Sequence, residues 1–262
     1  MQRANRLKTI ANAVRVPGGA RVGDLARATG TSPMTIRRDL AELERQGVLR
    51  RTHGGAVSLP TRGSRLPFAV RLGGHLEQKQ SIATATVELI PDGSSVIVDA
   101  GTTCSAVAHA LAGRDITALA LSVPVAAALG ERPGARIVTP GGQLDSDELA
   151  WSGHRAVREV IDFRADVAVL GVCAWDEAGG LTASSLHDAE VKKALLGSAR
   201  RTIAVTTPEA IGTSATFTVC PTGQVDTPVT TPLPQEMRAW ITVAGVEILE
   251  VESPAPSRPG EE

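Results

Sequence analysis

Between residues 96 and 205 the chain carries a succession of short, largely apolar runs: Val96-Ile97-Val98, Ala118 to Leu121, Arg136-Ile137-Val138, Val167 to Leu170 and Ile203-Ala204-Val205. Segments with helical spacing separate most of them, at 77–90 ahead of the first and at 103–112, 124–131 and 187–199 further on. Apolar runs of this length, alternating with helices, predict a mostly parallel sheet covered on both faces. Hydrophobic residues make up 42% of the chain, aromatics only 2%, and Tyr is absent, so the core must be built from Ala, Val, Leu and Ile. The stretch 213–235 is rich in Thr and Pro and gives no clear assignment. Val246 to Leu249 reads as a last strand, and 252–262, ending SPAPSRPGEE, as a disordered tail.

The first 60 residues follow a different pattern. Leu7, Ile10 and Val14 form a helical stripe that Pro17-Gly18-Gly19 ends. Val22, Leu25 and Ala26 open a short second helix closed by Gly30. Ser32-Pro33 supplies an N-cap and a first-turn proline for a third helix, with Ile36, Leu40 and Leu43 on its buried face and Gly47 at its end. Val48 to Arg51 and Ala56 to Ser58 read as two strands around His53-Gly54-Gly55. Three helices and a hairpin, in that order, predict a winged helix-turn-helix. The expected fold is therefore α/β: a small winged head at 1–59, a linker at 60–75, a mostly parallel-sheet α/β domain at 76–251 and the tail.

Charge divides the same way. Residues 1–65 hold 13 Lys+Arg against 4 Asp+Glu, a balance of +9; the rest hold 14 against 24, a balance of −10, which together give the net −1. A basic head on an acidic body points to a polyanion met by the head alone. With Ile36 facing the core, Met34, Thr35 and Arg38 point outward near the start of the third helix, with Arg37 on the flank and Ser32 at the cap. Arginine there can read guanine or hold phosphate, and the helix N-terminus itself favours phosphate. The hairpin adds Arg50, Arg51, His53 and Gly54, suited to backbone or minor-groove contact. Double-stranded promoter DNA is the expected partner, and paired half-sites imply a homo-oligomer, a dimer or higher.

In the larger domain one loop stands out. Val96-Ile97-Val98-Asp99 runs through Ala100-Gly101-Thr102-Thr103 into a helix. A strand, a Gly turn, two hydroxyls and a helix N-terminus make an anion cradle where α/β sheets place their ligands, and Asp99 could accept hydrogen bonds from sugar hydroxyls. An ordinary strand-to-helix turn with a capping Thr is the plainer reading. The three cysteines and five histidines show neither CxxC nor HExxH spacing, so no metal and no cofactor is expected. No apolar run approaches a membrane span, which suggests a cytoplasmic protein without membrane contact.

The run from Arg21 to Leu59 resembles the winged helix-turn-helix of the DeoR family, through TIRRDL at 35–40, Leu43-Glu44, Gly47 and His53-Gly54-Gly55-Ala56 in combination. The resemblance extends, more loosely, over roughly 3–250. Glu77-Gln78-Lys79 with Ile82-Ala83, the Asp99–Thr103 loop, Gly141-Gly142, Gly180-Leu181-Thr182 and the helix bearing Lys192 all fit. It implies a sugar-phosphate sensor similar in fold to ribose-phosphate isomerases, with Asp99, Gly101, Thr102, Thr103, Gly141, Gly142 and Lys192 around the effector. The chain departs from the family pattern at Ser122-Val123-Pro124, at Gly171 to Asp176, and at Thr207 and Ala210, which replace an Asp and a Lys. The loss of that Lys removes a charge able to pair with phosphate.

The resemblance implies a repressor of a carbohydrate-catabolic operon, released by a phosphorylated sugar or a related metabolite. The alternatives are a regulator that binds DNA without any ligand, its sensor degenerate, and an enzyme of the sugar-phosphate isomerase kind. The last needs a general base, and Asp99, Asp176 and Glu190 form no evident acid/base pair.

Overall fold

The computed structural model describes residues 3–14, 19–45, 48–58 and 68–252. The helix-ending Pro17-Gly18 and Gly47, the first part of the expected linker up to residue 67, and the tail from 253 lie outside them. The chain divides into two compact units, Met1–Gly74 and His75–Glu262.

In the first unit α1 (Arg3–Ala13), α2 (Val22–Thr29) and α3 (Pro33–Arg45) enclose a core of Leu7, Ile10, Val14, Leu25, Ile36, Leu40 and Leu43. Gly30 ends α2 at φ 64°, and the Thr31 N–H reaches back to Ala26 O, which satisfies a last-turn carbonyl. Ser32 Oγ accepts the Thr35 N–H at 3.2 Å and so caps α3. The wing has three strands, one more than the spacing predicts: β1 (Ala20–Arg21), β2 (Leu49–Thr52) and β3 (Gly55–Ser58), in the antiparallel order β1-β3-β2. Gly55 makes the third strand possible, because a Cβ there would stand 2.1 Å from Ala20 O. The 60–75 segment, expected as linker, contains a short helix, α4 (Phe68–Leu72), that packs on α1 with Phe68 buried.

The second unit opens with α5 (Leu76–Glu88), β4 (Ser95–Val98), α6 (Thr102–Leu111), β5 (Thr117–Ala120), α7 (Val123–Leu129) and β6 (Arg136–Val138). A hairpin of β7 (Gln143–Asp145) and β8 (Ala150–Ser152) leads to α8 (Gly153–Asp162) and β9 (Ala165–Gly171). Next come β10 (Ala174–Asp176), β11 (Gly180–Ala183), α9 (Leu186–Ser198), β12 (Ala199–Val205), β13 (Phe217–Cys220), β14 (Thr227–Thr230), α10 (Gln235–Val243) and β15 (Leu249–Glu250). Seven strands form one wholly parallel sheet in the order β15-β14-β12-β9-β4-β5-β6. Alternate residues feed two cores, as the unbroken apolar runs require. Val96, Val98, Val167, Val169 and Val205 pack with Ile82, Val107 and Leu111 on one face; Ile97, Ala168, Leu170 and Ala204 pack with Val160, Ala189 and Leu195 on the other.

The antiparallel sheet β10-β11-β13, the hairpin β7–β8, α8 and α10 go beyond what the spacing predicts. One expectation is corrected: Val246 to Leu249 is not a strand. Gly245, at φ 81°, closes α10, the Val246 N–H returns to Ile241 O, and the strand begins only at Leu249. Val246 is apolar because it fills the core below α10, not because it pairs.

Candidate functional site

The outward face of α3 presents Met34, Arg37 and Arg38, all exposed, with Ser32 at its start. Thr35 is half-buried and shares its hydroxyl with Ser32 Oγ at 3.0 Å, so part of its capacity goes into the cap. Asp39 lies on the inner face, 4% exposed, and accepts Arg6 Nε at 2.6 Å. That ion pair fixes α3 to α1 and explains an acidic residue on the buried face of the helix. A signal for it is present in the sequence: Asp39 falls on the Ile36–Leu43 face, where an unpaired charge would not be tolerated. In the wing Arg50 and His53 are exposed, and Gly54 forms the turn at φ 136°. Gly54 O accepts the Val22 N–H at 2.8 Å, which anchors the wing tip to the start of α2. Arg51 differs from Arg50. Its backbone N–H and its Nε both bind Glu44, at 2.8 and 2.6 Å, and together hold that carboxyl below the usual range. Arg37, Arg38 and Arg50 make no side-chain hydrogen bond or ion pair among the described residues. Their charge stands open to solvent.

The second site lies at the carboxyl ends of β4 and β9. The chain leaves β4 toward β5 and β6 on one side and returns to β9 on the other, so this is the switch point of the sheet, where ligands enter α/β folds. Asp99 follows β4 and is 1% exposed. Its Oδ1 accepts the Ala100 N–H at 2.7 Å, and its Oδ2 accepts the Gly171 N–H at 3.0 Å. Lys192 of α9, 2% exposed, donates to the same Oδ2 and lies 3.1 Å from Asp188 Oδ1. The Cys173 thiol donates to Asp188 Oδ2 at 3.1 Å. Burial pushes the Asp99 carboxyl above the usual range; the Lys192 charge opposes this, and Asp188 adds to it. Gly171 cannot carry a side chain, since a Cβ would meet Ala100 O at 2.7 Å and Cys104 Sγ at 3.1 Å.

This network changes two of the expected roles. Lys192 is not a free ammonium facing a ligand: its charge is committed to Asp99 and Asp188. Asp99 has both oxygens engaged, and it holds the cradle in shape. What remains available for an anion is the turn itself. Gly101, buried and at φ 116°, caps α6, whose first residues are Thr102 (buried) and Thr103 (half-buried). Gly141 and Gly142 follow β6, two strands from β4, and face Glu159 and Arg155 of α8. No hydrogen bond or ion pair joins them to the Asp99–Lys192 network among the described residues. Nothing in the spacing marks Cys173 or Asp188 as members of this network. Among the described residues no group of His, Cys, Asp and Glu is placed to hold a metal, and no helix is long and apolar enough to cross a membrane.

Two family profiles match the chain: the DeoR-like helix-turn-helix domain at residues 6–62 and the DeoR C terminal sensor domain at residues 74–231. The chain belongs to the DeoR family. Among its curated relatives, the glycerol-3-phosphate regulon repressor of Escherichia coli (strain K12) is 32% identical over 227 residues, 86% of this chain and 90% of that one. The HTH-type transcriptional repressor GlcR of Bacillus subtilis (strain 168) is 31% identical over 220 residues, 83% of this chain and 84% of its own. Among solved structures, the full-length sorbitol operon regulator SorC of Klebsiella pneumoniae aligns with 92% of this chain and 99% of its own, at 13% identity and a TM-score of 0.42. This DeoR-family chain is a DNA-binding transcriptional regulator, not an enzyme.

Proposed function

We propose that this DeoR-family regulator represses a carbohydrate-catabolic operon and is released when a phosphorylated sugar or polyol binds over Gly101, Thr102 and Thr103. The observation that carries the reading is the cradle. A helix N-terminus with two threonines stands at the switch point of a parallel sheet, and its shape is fixed by Asp99, Gly171 and Lys192. Dephosphorylated sugars offer no dianion to this turn and should bind far more weakly. On DNA, Arg37 and Arg38 enter the major groove with α3, with Met34 and Thr35 beside them, while Arg50, His53 and Gly54 follow the backbone from the wing. Arg51 acts through Glu44 as the brace between wing and helix. The protein works in the cytoplasm as a homo-oligomer, so that two heads meet two half-sites. The relatives named above, one of them the repressor of a glycerol-3-phosphate regulon, support the class of signal.

A second reading is a regulator that binds DNA without a ligand. It is favoured by the engagement of Lys192 and by Thr207 and Ala210, where charged partners are missing. Calorimetry of the wild type and Thr102→Ala with glycerol 3-phosphate, fructose 6-phosphate, glucose 6-phosphate and their dephosphorylated forms separates the two. Saturable binding of a phosphate ester to the wild type, lost in Thr102→Ala, is the expected result. Absence of binding by every ester in the wild type favours the ligand-independent reading.

A further inference from the structure

The sensor unit begins at His75, directly after Gly73-Gly74. His75 has φ 55°, one of two non-glycine residues at positive φ among the described residues. It starts α5, and its carbonyl accepts the Lys79 N–H at 2.9 Å, yet its side chain does not cap the helix. The imidazole Nδ1 instead meets Glu209 Oε1 at 3.0 Å. Glu209 lies in the strap 206–212 that leaves the carboxyl end of β12. Thr207 and Ala210, two of the residues at which the sequence departs from the family pattern, flank it in the same strap.

The strap is fastened along its length. The Thr206 N–H donates to Val229 O at 3.2 Å, and the Gly212 N–H donates to Trp175 O at 2.7 Å. Ile211 bridges to Trp175, whose ring is fully buried and stands edge-on to Trp240 at 5.7 Å. Partial burial works to raise the Glu209 carboxyl, but its hydrogen bonds to His75 and Thr207 prevail and bring it down to about 2. The strap begins beside the cradle: β12 lies next to β9, and the Val172 N–H, one residue beyond Gly171, donates to Val205 O at 3.4 Å. A continuous set of contacts therefore runs from Asp99 through Gly171, Val172 and Val205 into the strap, and from Glu209 to His75.

We infer that the strap 206–212 is the regulatory link of this protein, with the Glu209–His75 contact coupling the state of the cradle to the joint through which the chain leaves for the DNA-binding head. The inference rests on the cradle reading for its input, but the contact itself belongs to the unliganded protein. His75 combines a positive φ at the start of α5 with a side-chain partner in the strap. Release of the contact frees the first turn of α5 and the glycines before it.

The test is a double-mutant cycle in the full chain, read by hydrogen exchange of the amides at 76–80 and by anisotropy on operator DNA. Thr102→Ala perturbs the cradle, and Glu209→Gln removes the charge from the link. Glu209→Gln should raise exchange at 76–80 about fivefold and weaken operator binding about threefold, with β4 and β9 amides unchanged. Thr102→Ala should raise exchange at 76–80 in the wild-type background and add nothing measurable on Glu209→Gln. Were β4 and β9 to loosen in Glu209→Gln, His75→Gly takes its place, since glycine accepts the same φ without the imidazole. The inference is overturned if cutting the link affects only 206–212, or if Thr102→Ala acts equally in both backgrounds. The cycle uses no sugar phosphate, so it is decided independently of whether an effector is found.

Discussion

Asp39 and Arg38 are neighbours in α3 with opposite tasks. Asp39 is turned inward to Arg6, and the pair is nearly dry, with side chains 13% exposed for Arg6 and 5% for Asp39. Removal of one partner strands the other charge, so Asp39→Ala should cost the head about 3 kcal/mol. Urea unfolding followed by circular dichroism measures it, and a loss below about 1 kcal/mol would mean that the pair is solvated after all. Arg38 is turned outward and unpaired among the described residues, so Arg38→Ala should leave stability unchanged while weakening operator binding by about tenfold or more. Arg51→Ala separates bracing from contact. Its loss frees Glu44 and loosens the wing, so it should raise the off-rate without lowering the salt slope by the full unit that a lost phosphate contact gives. The outward arginines could be read from helical spacing alone. The Arg6–Asp39 pair could not be named in the same way, because the spacing says that Asp39 is buried but not who meets it across 33 residues.

Elements with strong periodicity were legible, and elements defined by tertiary pairing were not. The three head helices and the five apolar strands all form where their spacing puts them, to within a few residues. β1 is only Ala20–Arg21 and exists because Gly55 lets it approach, which no pattern in two residues can announce. β10, β11 and β13 are three or four residues each, joined through Gly180 at φ 65° and Trp175. The strap between β12 and β13 is likewise defined by pairing, and it carries a pH signature. The Glu209 carboxyl falls to about 2 in the folded chain against 4.5 ordinarily, so its contribution is complete above about pH 4.5 and is lost as the pH falls toward 2. The side chain is about half exposed, and screening limits the contribution to about 1 kcal/mol or less. The melting temperature of the wild type should therefore fall further than that of Glu209→Gln between about pH 5 and pH 2.5. Parallel curves over that range would show that the carboxylate holds nothing.

At the scale of the molecule, a basic head and an acidic sensor divide two tasks that the charge distribution already separates, +9 in residues 1–65 against −10 beyond. The parallel sheet could be foreseen because its strands are buried on both faces, and the turn from β4 into α6 because Gly-Thr-Thr follows the first of them. The keystone of the site could not, because Asp99, Gly171, Asp188 and Lys192 meet only once the sheet order β9-β4 is formed. That geometry commits the lysine to Asp99 and Asp188, and the function proposed above therefore rests on the backbone turn. Regulation then requires a ligand with different affinity for the DNA-bound and released arrangements. The most direct test is fluorescence anisotropy on DNA from upstream of the protein's own gene, with competitor DNA present, for the wild type and Thr102→Ala across a panel of sugar and polyol phosphates. One phosphate ester should release the wild-type complex and its dephosphorylated form should not, while Thr102→Ala binds the same DNA but is not released. A specific complex that no phosphate ester releases would contradict the cradle as the place of sensing.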